Sequence, residues 1–579
     1  MKSENETEQI TAQANGQELM TGADALLRCL IQEGVDTVFG YPGGAIMPVY
    51  DKLLDYEDQI SHYLTRHEQG AAHAAQAYSM VTGKVGVAFA TSGPGATNLV
   101  TGIANAFLDS VPTVFITAQV VSTLIGTDAF QETDIIGISM PVTKWNCQVK
   151  KAEDIPEVIA KAFYIAKTGR KGPVLVDITK DAQQQMIDFK YQKCTYIRSY
   201  NPYRPLNIKS IESAAIMINH AERPLILAGH GVLLSGAEKE LKAFAEKTGI
   251  PVALTLLGLS AFPTDHRLYA GMLGMHGNYG ANVLTNQADV IIAVGMRFDD
   301  RVTGNLKKYA KNATIIHIEI DEAEFNKNVP VDVAIHNDAK EALNYLTAHV
   351  KDNSFEKWIR EFRICDKTEY DKVVKPETKP AEGQIRMGEV VRLVSELTKG
   401  EAVIVSDVGQ NQMVAARYYK FTKPNTWVSS GGMGTMGFGL PAGIGATLGC
   451  PDKPVITFLG DGGFQMTMQE LGTMMQYNIP LKVVILNNSY LGMVRQWQDM
   501  FFDKRYASTA LPNPDFVAIA KAYKIEARKI ELREDLKDAL QKMIETKGPY
   551  LLEITVENEA NVFPMIEPGS AVSEIRLTY

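Results

Sequence analysis

Two short apolar runs, PVITFLGD and LKVVILNN, flank a segment with helical spacing between Gly460 and Asn488. The first run ends in an acid followed by glycines, and the second ends in two asparagines. Apolar runs of this length on either side of a helical segment are typical of a strand–helix–strand unit in a parallel sheet. Because neighbouring parallel strands deliver their carboxyl ends to one crevice, we predict that Asp461 and Asn488 lie together there.

The residues at these strand ends have the chemistry of a metal and phosphate site. A carboxylate and an amide oxygen suit a hard cation such as Mg²⁺. Gly462 and Gly463 allow the backbone to approach a diphosphate, and the start of the following helix presents N–H donors. The alternative is an ordinary strand–helix–strand unit with a glycine turn, which the Gly-Asp-Gly triplet alone would favour. The triplet and the paired asparagines together favour a cofactor site.

Length, charge and cysteine content narrow the class of protein. With 579 residues, 45% of them apolar, the chain is long enough for about three or four domains. The net charge is −9, and no run rich in Lys or Arg stands out, which argues against nucleic acid and anionic membrane as partners. The five cysteines are scattered without a CxxC pair. This pattern is typical of reduced thiols in the cytoplasm and predicts neither a disulfide framework nor a zinc site.

Apolar runs that end in Gly, Pro, Gln, Asp or Asn recur along three stretches of the chain. We therefore predict an α/β fold of three consecutive Rossmann-like domains, each a doubly wound parallel sheet. The uncharged stretch 428–450 is long enough for a membrane span, but its glycines and Pro441 predict a packed segment instead. The predicted boundaries are a disordered lead-in at 1–17, an N-terminal domain at 18–190, a linker at 191–207, a central domain at 208–350, a second linker at 351–384, a C-terminal domain at 385–560 and a tail near the active site at 561–579.

Ten motifs extend the pattern over most of the chain: YPGGA, RHEQGA, SGPGATN, GTDAFQET, GPVLVD, GMLGMHG, RFDDRVTGN, GGMGTMGFGLPA, GDGGFQMT and NNSYLGMVRQWQ. On these motifs, residues from about 20 to 568 resemble the catalytic large subunit of acetohydroxyacid synthase, also called acetolactate synthase, of the biosynthetic type. This is a family of thiamine-diphosphate-dependent enzymes. The resemblance implies that pyruvate is decarboxylated and its hydroxyethyl group ligated to a second 2-ketoacid, in branched-chain amino-acid biosynthesis. Pyruvate as acceptor gives 2-acetolactate, and 2-ketobutyrate gives 2-aceto-2-hydroxybutyrate.

The resemblance also implies a role for each domain and for individual residues. The N-terminal domain would bind the cofactor's pyrimidine, the central domain a structural, non-redox FAD, and the C-terminal domain the diphosphate and Mg²⁺. The implied catalytic residues are Glu68, Gly44 and Gln131, and the implied metal ligands are Asp461, Asn488 and Tyr490 through its carbonyl. Implied contacts to thiamine diphosphate are Pro42, Gly43, Val408, Gln410, Asn411, Gly434, Met436, Gly462, Gly463, Met466 and Met493. Implied contacts to FAD are Arg170, Gly274, Met275, His276, Arg297, Asp321 and Asp338, and implied substrate contacts are Arg301, Trp497, Phe130 and Lys180.

Three of these residues have alternative interpretations when taken alone. Glu68, at a predicted helix start, would ordinarily serve the helix dipole, whereas the family's glutamate hydrogen-bonds N1′ of the aminopyrimidine. Arg301 would pair with a neighbouring aspartate, whereas the family's arginine binds the acceptor carboxylate, a task that suits a planar charged fork. Trp497 would be a helix-packing aromatic, whereas the family's tryptophan favours 2-ketobutyrate as acceptor. The chain departs from the family at Asn411, where histidine is usual.

The alternatives to this function are other thiamine-diphosphate enzymes and a protein without catalytic activity. A pyruvate oxidase would use a flavin for electron transfer, and a simple decarboxylase would protonate the intermediate rather than ligate it. Glyoxylate carboligase lacks a glutamate at the position of Glu68. A catalytically silent nucleotide-binding protein would not need Glu68, Asp461 and Asn488 together. The resemblance further implies a homodimer or homotetramer with the active site between chains, a small regulatory subunit as partner, and a cytoplasmic enzyme.

Overall fold

The structure, a computed structural model, describes residues 18–579, so the predicted lead-in at 1–17 lies outside the described residues. Three six-stranded sheets form the framework, and every pair of neighbouring strands in them is parallel. Most of their central strands are buried at every position, as parallel sheets covered on both faces require. The predicted α/β class with three consecutive parallel-sheet domains is thereby confirmed.

The N-terminal sheet is built from β2 (Thr37–Gly40), β3 (Ser61–Leu64), β4 (Gly86–Ala90), β5 (Thr113–Gln119), β6 (Trp145–Val149) and β7 (Val174–Thr179). Its strand order is β3-β2-β4-β5-β7-β6. A separate antiparallel pair, β1 (Leu19–Thr21) and β8 (Met186–Asp188), joins the two ends of the domain. The helices are α1 (Gly22–Gln32), α2 (Met47–Leu53), α3 (Glu68–Thr82), α4 (Pro94–Asn98), α5 (Val100–Asp109), α6 (Ile135–Ser139), α7 (Ile155–Lys167) and α8 (Lys180–Gln184). The predicted helix start at Glu68 is confirmed.

The central sheet is built from β9 (Pro224–Ala228), β10 (Val252–Leu254), β11 (Tyr269–Met272), β12 (Val290–Val294), β13 (Thr314–Glu319) and β14 (Val333–His336). Its order is β11-β10-β9-β12-β13-β14, which is the 3-2-1-4-5-6 arrangement of dinucleotide-binding folds. The helices are α9 (Ile208–His220), α10 (His230–Ser235), α11 (Glu238–Thr248), α12 (Tyr279–Thr285), α13 (Asp300–Thr303) and α14 (Ala339–His349).

The segment predicted as the second linker is largely helical. It contains α15 (Glu356–Glu369), a π-helical turn (Tyr370–Val374) and α16 (Lys375–Thr378). Glu369 at the end of α15 forms a buried ion pair with Arg417 of the C-terminal domain. The Arg417 guanidinium also donates hydrogen bonds to the carbonyls of His276 and Gly277, at 3.0 and 2.8 Å. This segment therefore fastens the central domain to the C-terminal domain.

The C-terminal sheet is built from β15 (Val403–Ser406), β16 (Trp427–Ser429), β17 (Val455–Gly460), β18 (Lys482–Asn487), β19 (Glu526–Ile530) and β20 (Tyr550–Thr555). Its order, β16-β15-β17-β18-β20-β19, repeats the pattern of the N-terminal sheet. The helices are α17 (Met387–Leu397), α18 (Gln410–Tyr418), α19 (Gly439–Gly449), α20 (Asp461–Thr467), α21 (Leu471–Tyr477), α22 (Gly492–Phe501), α23 (Phe516–Ala522) and α24 (Arg533–Glu545). The predicted strand–helix–strand unit between Gly460 and Asn488 is confirmed.

Short 3₁₀ turns link several of these elements: Leu54–Tyr56, Ser122–Leu124, Met140–Val142, Ala152–Asp154, Leu256–Gly258, Glu322–Glu324, Met468–Glu470 and Val572–Glu574. All five cysteines are free thiols. Within residues 18–579, no helix combines the length and the apolar character needed to cross a membrane. The stretch 428–450 instead contains β16, a glycine-rich turn and the buried helix α19.

The N-terminal and C-terminal domains meet where α3 packs against α19. Both helices are lined by small residues, and α19 has the sequence GLPAGIGATLG. A β-carbon on Gly445 would lie 2.0 Å from the carbonyl oxygen of Ala74 in α3. The two backbones therefore approach more closely than any side chain at position 445 would allow.

We expect Gly445→Ala to lower the apparent melting temperature by several degrees, because overpacking of a close contact costs about 1–3 kcal/mol. Circular dichroism melting measures the change. Gly443→Ala in the same helix is the matched control, since its added carbon would meet side-chain atoms and no backbone: the ends of Leu481, at 2.8 and 3.0 Å, and the β-carbon of Thr457, at 3.4 Å. That control should melt close to the wild type, because alanine favours a helix over glycine by about 1 kcal/mol. Equal losses in both variants would contradict the special role of the Gly445 contact.

Candidate active site

The metal and diphosphate residues lie where the C-terminal sheet changes winding direction. From β15 the chain continues to β16 on one side, and from β17 it continues to β18 on the other. Ligand crevices of open α/β sheets lie at such a switch point, at the carboxyl ends of the strands. The turn that follows β15 begins with Asp407 and Val408, and Asp461 directly follows β17. Both segments therefore meet at the predicted crevice.

A cavity of about 50 Å³ lies at this point. It brings together all three candidate metal ligands and seven of the candidate cofactor contacts, namely Asp461, Asn488, Tyr490, Val408, Gln410, Asn411, Met436, Gly462, Gly463 and Met493. Met466 does not line it and is 57% exposed. Gly434 lines a larger neighbouring cavity instead.

The chemistry of the lining fits a hard cation and a diphosphate. Asp461 is buried, and its Oδ2 accepts a hydrogen bond of 2.6 Å from the amide of Asn513. Burial raises the pKa of Asp461 to about 6, so a bound cation would stabilise its ionised form. Among residues 18–579 there is no group of three or more His, Cys, Asp or Glu side chains placed to hold a metal. A single carboxylate with neutral oxygens leaves coordination positions for phosphate oxygens, as Mg²⁺ prefers.

A second buried acid, Asp407, shapes the turn that carries Met436. Its carboxylate accepts hydrogen bonds from the backbone N–H groups of Val408, Gly437 and Gly439, at 2.6, 3.0 and 3.1 Å. Burial raises the pKa of Asp407 to about 6, and these hydrogen bonds oppose the rise. A β-carbon on Gly463 would lie 2.8 Å from the same carboxyl group. Gly463 is therefore required for the close approach of α20 to this acid.

The side chains of Gln410 and Asn411 are both turned toward protein partners. The Gln410 carbonyl oxygen accepts a hydrogen bond from the Asn488 amide at 3.3 Å. The Asn411 amide donates to the carbonyl of Phe458 at 3.2 Å. Gln410 thus orients a candidate metal ligand, and Asn411 fixes the start of α18 against the sheet.

The candidate proton-transfer residue Glu68 lies in a different cluster, in the N-terminal domain. Its Oε2 accepts a hydrogen bond of 3.0 Å from the amide of Asn98, and the side chain is largely buried. A β-carbon on Gly95 would lie 3.3 Å from Oε1, and one on Gly93 would lie 2.8 Å from the carbonyl oxygen of Gln131. The loops that carry SGPGATN and GTDAFQET therefore enclose Glu68 and Gln131.

The remaining candidates of the N-terminal domain are more open. A β-carbon on Gly43 would touch Thr91 at 2.5 Å, whereas one on Gly44 would meet no atom within 4 Å. Phe130 is 87% exposed. Pro42 is half-buried beside Gly43, and Lys180 begins α8 at the end of β7. None of the candidate residues Pro42, Gly43, Gly44, Glu68, Phe130, Gln131 and Lys180 lines the small cavity or its larger neighbour.

A larger cavity of about 640 Å³ lies between all three domains. This volume is in the range of about 300–1,000 Å³ that is typical of small-molecule sites. Six of the seven candidate flavin contacts line it: Arg170, Gly274, Met275, His276, Arg297 and Asp338. The seventh, Asp321, accepts a hydrogen bond from Arg170 at 3.0 Å. Two lining atoms, His276 Nε2 and Asn337 Oδ1, are buried without a hydrogen-bond partner within the described chain, so the cavity offers polar atoms to a ligand.

Arg301 and Trp497 line the same large cavity. The Arg301 side chain is 60% exposed, and its Nε lies 3.7 Å from Asp300. That separation is too long for a good hydrogen bond, so the alternative of a strong local ion pair is weak. Trp497 makes an edge-to-face contact with Phe501, with ring centres 5.3 Å apart. Met493, one turn earlier on α22, lines both cavities and joins them.

The C-terminal tail contacts both of the elements that carry these residues. Ala571 pairs with Gly304, just after α13, and the backbone N–H of Val562 donates to Gln496 at 2.8 Å. The carbonyl of Pro564 lies 3.1 Å from Nδ1 of His276. Burial lowers the pKa of His276 to about 4, so this ring is neutral near pH 7 and donates through Nδ1.

Several residues that shape the two cavities are not among the residues predicted from the sequence. Asp407 directly precedes the candidate residue Val408, but its burial cannot be seen in one sequence. Asn513 lies in a loop 52 residues after Asp461, with no local pattern to mark it. Asp109 and Lys171 line the large cavity from the N-terminal domain. A signal for Lys171 was available, since it directly follows Arg170.

Comparison with known proteins matches three regions of the chain to domains of one enzyme family. Residues 20–138 match the thiamine pyrophosphate enzyme N-terminal TPP binding domain, residues 211–346 match the central domain, and residues 407–554 match the C-terminal TPP binding domain.

Relatives match over almost the whole chain. The acetolactate synthase large subunit of Corynebacterium glutamicum is 46% identical, with 96% of this chain and 90% of that protein covered. The acetolactate synthase isozyme 3 large subunit of Escherichia coli and the acetolactate synthase large subunit of Buchnera aphidicola from Schizaphis graminum are each 43% identical, with 97% of this chain and 99% of those proteins covered. The chain therefore belongs to the acetolactate synthase large subunits, a family of thiamine pyrophosphate enzymes.

Proposed function

We propose that this chain is the catalytic subunit of an acetohydroxyacid synthase, which decarboxylates pyruvate and ligates the resulting two-carbon unit to a second 2-ketoacid. One observation carries the assignment of the site: Met493 lines both cavities. The metal and diphosphate residues therefore adjoin the cavity that contains Arg301 and Trp497. A donor site next to an acceptor site is what a ligation requires, whereas a decarboxylase needs only the first.

Thiamine diphosphate and Mg²⁺ are assigned to the small cavity. Asp461, Asn488 and the Tyr490 carbonyl would hold the metal, and the backbone at Gly462 and Gly463 would approach the diphosphate. When bound, thiamine diphosphate supplies a carbon nucleophile that adds to the pyruvate carbonyl and takes up the electrons released with CO₂. The protein's task there is to hold the metal, to position the cofactor and to exclude water.

Glu68 is assigned to the proton at N1′ of the aminopyrimidine. The Asn98 hydrogen bond fixes one of its carboxyl oxygens, and its largely buried setting limits hydration, which makes proton sharing with a ligand more effective. Because Glu68 lines neither of these two cavities in its own chain, we propose that it serves the small cavity of a second copy. We therefore propose a homodimer. The apolar side chains exposed on the N-terminal domain, among them Tyr41, Met47, Phe130 and Met140, support burial against a partner.

Arg301 and Trp497 are assigned to the acceptor ketoacid. Arginine presents a fixed fork of donors that matches a carboxylate, and the Arg301 side chain is 60% exposed and lines the cavity. Trp497 would pack on the alkyl end of the acceptor. One methylene in such a pocket changes binding by about 1–3 kcal/mol, which is enough to prefer 2-ketobutyrate over pyruvate.

The large cavity is also assigned to FAD. The central sheet has the strand order of dinucleotide-binding folds. Arg170, Lys171 and Arg297 line the cavity as candidate donors to a pyrophosphate, and Arg170 is also paired with Asp321 and Glu324. Ligation transfers no net electrons, so the flavin would shape the acceptor site without redox chemistry. Since the relatives are named large subunits, we also propose a small regulatory subunit as partner.

The direct test supplies the purified protein with thiamine diphosphate, Mg²⁺, FAD and equal pyruvate and 2-ketobutyrate, and quantifies both acetohydroxyacids and oxygen. We expect mostly 2-aceto-2-hydroxybutyrate and no oxygen uptake.

In the same assay, Trp497→Leu should shift the product ratio toward 2-acetolactate by about tenfold or more, since the methylene contact is worth about 1–3 kcal/mol. Oxygen consumption, or acetaldehyde as the main product, would reject the synthase; an unchanged ratio would reject the role of Trp497.

Glu68→Gln should reduce turnover by at least about 10²-fold, because a positioned proton-transfer group contributes about 10²–10⁴-fold. The side chain keeps its size, so the melting temperature should stay within a few degrees of the wild type. Steady-state kinetics at saturating cofactor measures the effect. Near-normal turnover in a folded variant would rule out Glu68 as the proton-transfer residue.

Arg301→Ala should raise the concentration of acceptor needed for half-maximal ligation by about tenfold or more, because a charge-assisted hydrogen bond is worth about 1.5–3 kcal/mol. Arg301→Lys is the matched control: it keeps the charge but loses the fork, and should fall between wild type and alanine. Competition between the two acceptors gives the measurement. Acceptor saturation that is identical in all three proteins would exclude a carboxylate contact.

A further inference from the structure

A buried carboxylate joins the segment of the metal ligand to the segment of Glu68. Glu470 lies at the end of a 3₁₀ turn in the C-terminal domain, nine residues after Asp461, and it is fully buried. Its two carboxylate oxygens accept the backbone N–H of Arg66 in the N-terminal domain, at 3.0 and 3.2 Å. The hydroxyl of Thr473 donates a third hydrogen bond to Oε2, at 2.7 Å.

Glycines on both sides make room for this contact. A β-carbon on Gly70 would lie 2.4 Å from Oε1 of Glu470, and one on Gly472 would lie 2.8 Å from Nε of Arg66. The Arg66 guanidinium in turn donates to the Gly472 carbonyl at 3.0 Å and to Gln476 at 2.8 Å. Each domain thus provides a space without a side chain for the charged residue of the other.

The contact lies directly before the helix that begins with Glu68. Arg66 ends the turn after β3, and α3 begins at Glu68 with His67 as its N-terminal cap. Fixing the N–H of Arg66 therefore fixes the position and direction of the first turn of α3. Burial raises the pKa of Glu470 to about 7, against the lowering effect of the Thr473 and Arg66 donors. Because Glu470 is fully buried, water cannot replace a hydrogen bond that its carboxylate loses.

The geometry points to Glu470 as a positioning residue that sets the orientation of Glu68 and so the rate at which Glu68 can exchange a proton with the bound cofactor. This inference rests on the role that we propose for Glu68. Glu470 touches neither cavity, so it would act only through the start of α3. Binding of the metal and the diphosphate would depend on Asp461 and its neighbours and not on Glu470.

The test measures proton exchange and cofactor binding separately. It uses substrate-free holoenzyme with Mg²⁺ and thiamine diphosphate at about pH 8, where the Glu470 carboxylate is largely ionised. Exchange of the thiazolium C2 proton for deuterium, followed by quenching and NMR, reports the proton chemistry. The dissociation constant of thiamine diphosphate reports the diphosphate site. We expect Glu470→Gln to slow the exchange about tenfold, because a small misplacement of a reacting group has effects of this order, and to change cofactor affinity by less than about twofold.

A readout without cofactor accompanies this experiment. Backbone amide exchange of the peptide 61–72 should become faster in Glu470→Gln, since the Arg66 N–H loses its charged acceptor. Gln476→Ala is the matched control: it removes a hydrogen bond from the Arg66 side chain and leaves the amide contact intact. It should exchange the C2 proton at the wild-type rate. If Glu470→Gln does not fold, Thr473→Val removes the 2.7 Å donor to Glu470 together with the 3.1 Å contact of the same hydroxyl to the Leu64 carbonyl, and should slow the exchange about threefold.

The outcomes distinguish failure of this inference from failure of the proposed function. Slow C2 exchange in Glu68→Gln with wild-type exchange in Glu470→Gln would overturn the positioning role alone. A loss of cofactor affinity in Glu470→Gln that matches its loss of exchange rate would also overturn it, because Glu470 would then act on the diphosphate segment. Wild-type exchange in Glu68→Gln would overturn the proposed role of Glu68, and this inference with it.

Discussion

The close packing of α3 against α19 is the contact on which the rest of the site depends. Gly445 and Ala74 bring the two backbones together, and small residues at a helix interface permit this approach at little entropic cost. The contact fixes α3, which begins with Glu68, relative to α19, which follows the turn that carries Met436. Both candidate half-sites are therefore attached to one rigid interface, and their separation is set by backbone contact rather than by flexible side chains.

Buried acids hold the glycine-rich turns in place. Asp407 accepts the N–H groups of Gly437 and Gly439, and Asp109 accepts those of Gly431 and Gly432, at 3.2 and 2.7 Å. Burial raises the pKa of Asp109 to about 6, and the glycine donors counter the rise. A glycine turn has no side chain with which to fix its own shape, so an acid from a neighbouring element supplies the fixed acceptor. The turns can then approach a ligand closely without being mobile.

The sequence predicts what depends on neighbours along the chain and fails where distant segments meet. The unit from Gly460 to Asn488 was predictable because apolar runs and strand-end residues are local signals. The helix start at Glu68 was predictable for the same reason. Asn513, which reaches Asp461 across 52 residues, and Glu470, which reaches Arg66 across 404 residues, leave no periodic signal. The order of the central sheet is likewise a tertiary property, since the run of strands along the chain is compatible with several windings.

The separation of the two half-sites within one chain has a physical consequence for the dimer that we propose. Glu68 would serve the cofactor of the partner, while Asp461 of the same chain would hold its own cofactor. Glu470 connects the two segments through a buried hydrogen bond to the Arg66 N–H. A displacement of the metal segment on cofactor binding would therefore be felt at the start of α3, since interiors are packed too tightly to absorb it locally. The chain that binds one cofactor would then be the chain that aligns the proton-transfer residue for the other.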